Sequence, residues 1–272
     1  MSAGNVTEKS ILKSKLILIP MAIMVYLIAV YAIRPFVVEG FAWFILDLNS
    51  VVLALVAVLV FAIVAHRFGW LKTRPGQISV ILVIGFILWT LAETFWLWYE
   101  SVGLNPFPSI ADFFYIAGYF PFAIALLLNI RTIHVKFKLP ILILWIALSL
   151  IAFAVIAIID VAPILQGAVN PEDIIGIVYP LEDLVIIVLA LVIVLKFRAG
   201  EIAKAWGVLV LGFILEAIGD ILFLYEQNTG IYQTTGPYDI VDLILSLGYV
   251  AFIASGLLFI STFGARGGRK SA

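Results

Sequence analysis

The chain is a succession of apolar runs too long and too uniform for a soluble fold. The stretch "SVVLALVAVLVFAIVAH", Ser50 to His66, carries no acidic residue, no lysine and no arginine. A helix that crosses a bilayer needs about 20 mainly apolar residues. Eight segments are read this way, at about 16–34, 46–66, 77–99, 111–131, 139–160, 181–197, 205–225 and 240–262. They lack the short alternation and turn spacing of a transmembrane barrel, so strands are not expected. Composition agrees. Of 272 residues, 64% are hydrophobic and 12% charged, against about 25% charged in an ordinary soluble domain. Mean hydropathy is +1.20. The expected class is an all-α polytopic membrane protein embedded in a lipid bilayer.

Charge alternates between successive connections. The amino terminus carries Lys9, Lys13 and Lys15, and the loop after the second segment has Arg67, Lys72 and Arg74. Arg131, Lys136 and Lys138 follow the fourth segment, and Lys196, Arg198 and Lys204 the sixth. Arg266, Arg269 and Lys270 close the tail. Fifteen of the sixteen basic residues fall on one side, and Arg34 alone on the other. The positive-inside rule places that side, with both termini, in the cytoplasm of a cell membrane. The acids do the opposite. Of seventeen, Glu8 and Glu201 lie on the cytoplasmic side, and most others sit in outer loops or near outer helix ends.

The outer half of the pattern occurs twice. "PFPSIADFFYIAGYF" (106–120) returns as "GPYDIVDLILSLGYVAF" (236–252), matching Asp112 with Asp242 and Gly118-Tyr119 with Gly248-Tyr249 at an offset of 130. "AETFWLWYESVG" (92–103) fits "GDILFLYEQNTG" (219–230) at an offset of 127, and "DLNSVVLALV" from Asp47 resembles "DLVIIVLALV" from Asp183. Repeats of this kind mark a duplicated unit. The units are expected at about 1–138 and 139–272. With four helices each they share one orientation, as parallel repeats.

Carboxylates in this setting have two readings. Ser109-x-x-Asp112 is a capping-box pattern, with Asp239-x-x-Asp242 as its counterpart, and such a carboxylate satisfies free backbone N–H groups and the positive end of the helix dipole. Glu93, Glu216 and Asp220 fall inside apolar runs, where capping does not apply. An ionised group at the bilayer centre costs at least about 2.5–3.5 kcal/mol, so these residues are expected to face protein or a wet cavity. Glu216 and Asp220 are four apart on one helix face. Trp89, Glu93 and Trp96 also share a face, and a carboxylate between indoles suits a cationic or amphipathic ligand. The expected ligand-binding set is Glu93, Trp96, Asp112, Glu216, Asp220 and Asp242, in a pocket open to the outside. The competing view is a set of structural, hydrogen-bonded carboxyls with an ordinary aromatic belt. Arg34 is a natural internal partner for the acids, and an ion pair between Arg34 and Asp160 would join the two units.

Several chemistries are disfavoured. His66 and His134 lie on the cytoplasmic side, which argues against a histidine-ligated zinc site and a bis-histidine haem. No mid-membrane lysine offers a Schiff-base anchor, and cysteine is absent. There is no phosphate-binding glycine loop, and the basic loops are explained by topology rather than nucleic acid. A hard cation held by oxygen ligands stays open. No resident cofactor and no catalytic residue are expected.

The motif of Pro106, Pro108, Ser109, Ala111, Asp112 and Tyr115, followed by Gly118-Tyr119, resembles the multi-helix amino-terminal membrane regions of archaeal and bacterial sensor histidine kinases and diguanylate cyclases. The second unit has "TGPYDIVD" in place of "PFPSIAD". The resemblance implies reception or anchoring rather than catalysis. About ten residues follow the eighth segment, so a stand-alone membrane component or an excised sensor region is expected, signalling through a partner protein. The alternative is a proton- or cation-coupled transporter using the intramembrane acids, although the cytoplasmic helix halves are almost free of polar residues. A lipid-active membrane enzyme lacks a nucleophile–base set.

Overall fold

The computed structural model of the chain describes residues 3–33, 36–131, 139–165, 170–196, 200–230 and 240–263. Among them there is no strand, and long helices follow one another: α1 (Ala3–Ile33), α2 (Glu39–Arg67), α3 (Arg74–Ser101), α4 (Ile110–Arg131), α5 (Leu139–Ile156), α6 (Pro171–Lys196), α7 (Glu201–Thr229) and α8 (Val241–Phe263). A 3-10 turn, Trp70–Lys72, precedes α3, and α5 runs into a π-helical turn, Ala157–Val161, and a last helical turn, Ala162–Leu165. Six of these helices, α2, α3, α4, α6, α7 and α8, are long and apolar enough to cross a membrane. In α1 and α5 the described apolar stretches are shorter, Leu18–Ile33 and Ile146–Val155. A helix satisfies its own backbone, which is what a lipid environment demands. The protein is therefore a helical, membrane-embedded one.

The sixth helix begins ten residues earlier than the sequence reading placed it, at Pro171 rather than 181. Its first turns carry Glu172, Asp173, Glu182, Asp183 and an internal Pro180, which dilute the apolar signal. The backbone nonetheless stays helical through Pro180. Its start is capped, with the Asn170 N–H donating to Asp173 Oδ2 at 2.6 Å. Arg34 lies outside the described residues, as do Lys136, Lys138, Asp239 and the tail cations. The expected Arg34–Asp160 pairing therefore lies outside the described residues.

Six helices close a ring. Contacts run α2–α3, α3–α4, α4–α6, α6–α7, α7–α8 and α8–α2. Helix α1 lies against α8, and α5 against α6. The α2–α8 seam is close, since a Cβ on Gly256 would stand 2.3 Å from Val60 Cγ1. At its far end Arg67 Nη1 donates to the Ile260 carbonyl at 3.0 Å.

The ring would leave a hole along its axis. Four fully buried phenylalanines fill it at mid-height: Phe86, Phe122, Phe213 and Phe252. Their rings meet in a closed circuit, with centroids 4.9 Å apart for Phe86–Phe122, 5.2 Å for Phe122–Phe213, 4.9 Å for Phe213–Phe252 and 5.1 Å for Phe252–Phe86. Edge-to-face pairs at such distances are favourable beyond their area burial. Close backbone approach seats the rings. A Cβ on Gly85 would stand 2.5 Å from Phe122, and one on Gly212 would stand 2.4 Å from Phe252. The outer surface is the reverse of a soluble protein's. Leu55, Leu59, Ile87, Ile124, Val185 and Leu211 are exposed, while Asp112, Asp183 and Glu216 are buried.

Candidate functional site

Above the phenyl circuit the axis opens into a cavity with about 70 Å³ of space for the centres of water-sized groups, open at its mouth. Seven residues separate Phe86 from Glu93 and Phe213 from Asp220, about 10 Å of helix rise in each case. Both helices pass from the phenyl circuit to the acids in the same direction. All six residues expected from the sequence line this cavity: Glu93, Trp96, Asp112, Glu216, Asp220 and Asp242. Trp89, the third member of the predicted α3 face, lines it as well.

The acids are held by tyrosines from other helices. Tyr249 on α8 donates to Glu93 Oε1 on α3 at 2.8 Å. Tyr119 on α4 lies 2.8 Å from both Asp183 Oδ1 on α6 and Asp220 Oδ2 on α7. A phenol has one proton to donate, so one of the two acids supplies the other proton of this set. Tyr179 on α6 donates to Asp112 Oδ1 at 2.7 Å. Each bond ties two helices together at a depth where an unpaired polar group is costly.

Asp112 turns its two oxygens in different directions. Its Oδ2 accepts from the Ser109 N–H at 2.5 Å, and Ser109 Oγ accepts from the Ala111 N–H at 3.0 Å. That is a reciprocal cap on α4, while Oδ1 turns to Tyr179 and the cavity. The same carboxyl caps a helix and lines the pocket.

Aromatic rings make the remaining walls. Trp96 packs edge-on against Tyr115 and Phe223, at 6.4 and 5.6 Å, and Phe107 meets Phe223 at 5.5 Å. On the floor, Trp89 touches Phe122 at 4.8 Å and Tyr119 at 5.4 Å, and its indole N–H donates to the Tyr115 carbonyl at 3.1 Å. Among the described residues no lysine, arginine or histidine lines the cavity.

The sequence reading missed Asp47, Tyr119, Tyr179 and Tyr249 as pocket residues and Asp183 as a partner in the network. For four of them a signal was present. Asp47 and Asp183 head the two copies of the repeated apolar string, and Tyr119 and Tyr249 belong to the repeated Gly-Tyr pair. Tyr179 had none, because it precedes Pro180 in a stretch read as lying before the sixth helix. Comparison with family models, with curated proteins and with solved structures finds no match.

Proposed function

We propose that this chain is an integral membrane receptor module, which takes a cationic or amphipathic ligand into the acidic, aromatic cavity and acts through a partner protein. The observation that carries the reading is the cavity itself. Carboxylates and aromatic faces converge there with no basic side chain among the described lining residues, and a closed circuit of four phenyl rings lies beneath. Negative potential and π-faces attract a cation with apolar surface. The phenyl circuit favours binding without passage, and so favours a receptor over the transporter alternative. A role in signal reception also follows from the resemblance to sensor membrane regions.

In this reading eight helices span the cell membrane, both termini are cytoplasmic and the cavity opens outward. The chain consists of two four-helix units, 1–138 and 139–272. Side-chain packing supports the duplication. Gly85 receives Phe122 as Gly212 receives Phe252, at offsets of 127 and 130 that match the repeated strings. Tyr249 bonds Glu93 as Tyr119 bonds Asp220, so each unit's tyrosine holds the other unit's acid.

The test is a thermal-shift titration of the protein in nanodiscs with monovalent cations, divalent cations and small cationic amphiphiles. At least one cation should stabilise the wild type, and Glu93→Gln and Asp220→Asn should lose that stabilisation while remaining folded. Equal responses from wild type and both variants would make the carboxyls structural. Accumulation of the bound cation inside sealed proteoliposomes would favour a transporter.

A further inference from the structure

The acids of the cavity are not alike. Glu93 and Asp112 each receive a hydrogen bond from a tyrosine, and Asp183 and Asp220 share the Tyr119 hydroxyl. Glu216 is 6% exposed, lines the cavity, and its Oε1, like Oδ2 of Asp47 on α2, has no hydrogen-bond partner. A buried acceptor left unmet is expensive, and the neighbouring acids show that this fold can supply a donor where one is needed.

Glu216 is also a point at which the two halves differ in chemistry. Trp89 covers Gly118, where a Cβ would stand 2.4 Å from its ring, and Glu216 covers Gly248, where a Cβ would stand 2.3 Å from Oε1. The glycines are equivalent at an offset of 130, and Trp89 and Glu216 at 127. One half thus places an indole on the floor where the other places a carboxyl. Tyr119 and Tyr249 stand beside them, 5.4 and 6.1 Å from the Trp89 ring.

This arrangement narrows the ligand. Among the described residues no three acids or histidines converge closely enough to hold a metal ion, so a bare divalent ion has no cage. The unmet Glu216 oxygen calls for a hydrogen-bond donor, which on an organic cation is an N–H and which a quaternary ammonium lacks. The aromatic walls call for apolar surface behind the charge. We propose that the cavity is built for a protonated primary amine on an apolar or aromatic body, its ammonium donating to Glu216 on the floor. This rests on the receptor reading above and specifies its ligand class and anchor.

The probes are 2-phenylethylammonium, its N,N,N-trimethyl analogue and the neutral 2-phenylethanol, titrated by calorimetry into wild-type protein in nanodiscs and into Glu216→Gln. The neutral alcohol corrects for partition into lipid. The primary amine should bind tightest, and both N-methylation and Glu216→Gln should weaken binding by about tenfold or more, the scale of one hydrogen bond to a charged group. Glu172→Gln, an exposed position at the start of α6, should bind as wild type. If the trimethyl analogue binds as well as the amine, or Glu216→Gln binds unchanged while Glu93→Gln does not, the anchor and ligand class are wrong and the receptor reading stands. If no cation binds the wild type under either protocol, both fall. The comparison of ligands on wild type decides the question even if Glu216→Gln fails to fold.

Discussion

At the scale of single residues, the cavity is organised by hydroxyls that cross between helices. Tyr119 is 3% exposed and Tyr249 is 1% exposed, so both hydroxyls depend on protein partners. Tyr119 serves two acids and Tyr249 one. Removing a partner from a buried polar group costs about 1–3 kcal/mol per group left unsatisfied. Tyr119→Phe should therefore destabilise the protein more than Tyr249→Phe, with Asp183 and Asp220 both losing their hydroxyl partner. Chemical unfolding in detergent, followed by tryptophan fluorescence, measures the difference. Equal losses would mean that one of the two Tyr119 contacts contributes nothing.

At the scale of elements, close packing is set by a few glycines. Gly85 and Gly212 let α4 and α8 press their phenyl rings against the backbones of α3 and α7. A methyl group at either position forces a core side chain off its rotamer, which costs about 1–3 kcal/mol. Gly207, also within α7, has nothing within 4 Å of its would-be Cβ. There an alanine gains about 0.5–1 kcal/mol of helix preference. Unfolding should show Gly85→Ala and Gly212→Ala destabilised to a similar degree and Gly207→Ala neutral or stabilised. A marked difference between the first two would count against equivalent packing in the two halves.

At the scale of the whole molecule, the orientation proposed from the charge distribution has a direct test. Asn105 and Asn170 lie in exposed connections, and Asn228 lies exposed at the end of α7, at the end of the bundle where the acids lie. Single cysteines at these positions should react with an impermeant maleimide from outside intact cells, before lysis. Labelling only after lysis would invert the topology. The ring also explains why a cavity exists at all. Six helices packed edge to edge leave an axial space that no single helix fills. Large rings close its middle, and the acids occupy the part that remains open.

The sequence by itself determined the helices, the class and the raw material of the site. Those properties are local: run length, the mean hydropathy of about twenty consecutive residues, and the periodicity that puts Trp89, Glu93 and Trp96 on one face. Repetition along the chain marked Asp47, Asp183, Tyr119 and Tyr249 without saying what they do. The meeting of those residues was decided by the tertiary structure. Tyr249 reaches Glu93 from 156 positions away and Tyr119 reaches Asp220 from 101, and apolar helices of similar composition give no local sign of which neighbour each will choose. In a bilayer the solvent favours no apolar face over another, so helix choice falls to small residues that admit close approach and to polar groups that need partners. In this chain those are Gly85, Gly212, Gly118 and Gly248, and the tyrosine–acid bonds that only the closed ring of helices brings together.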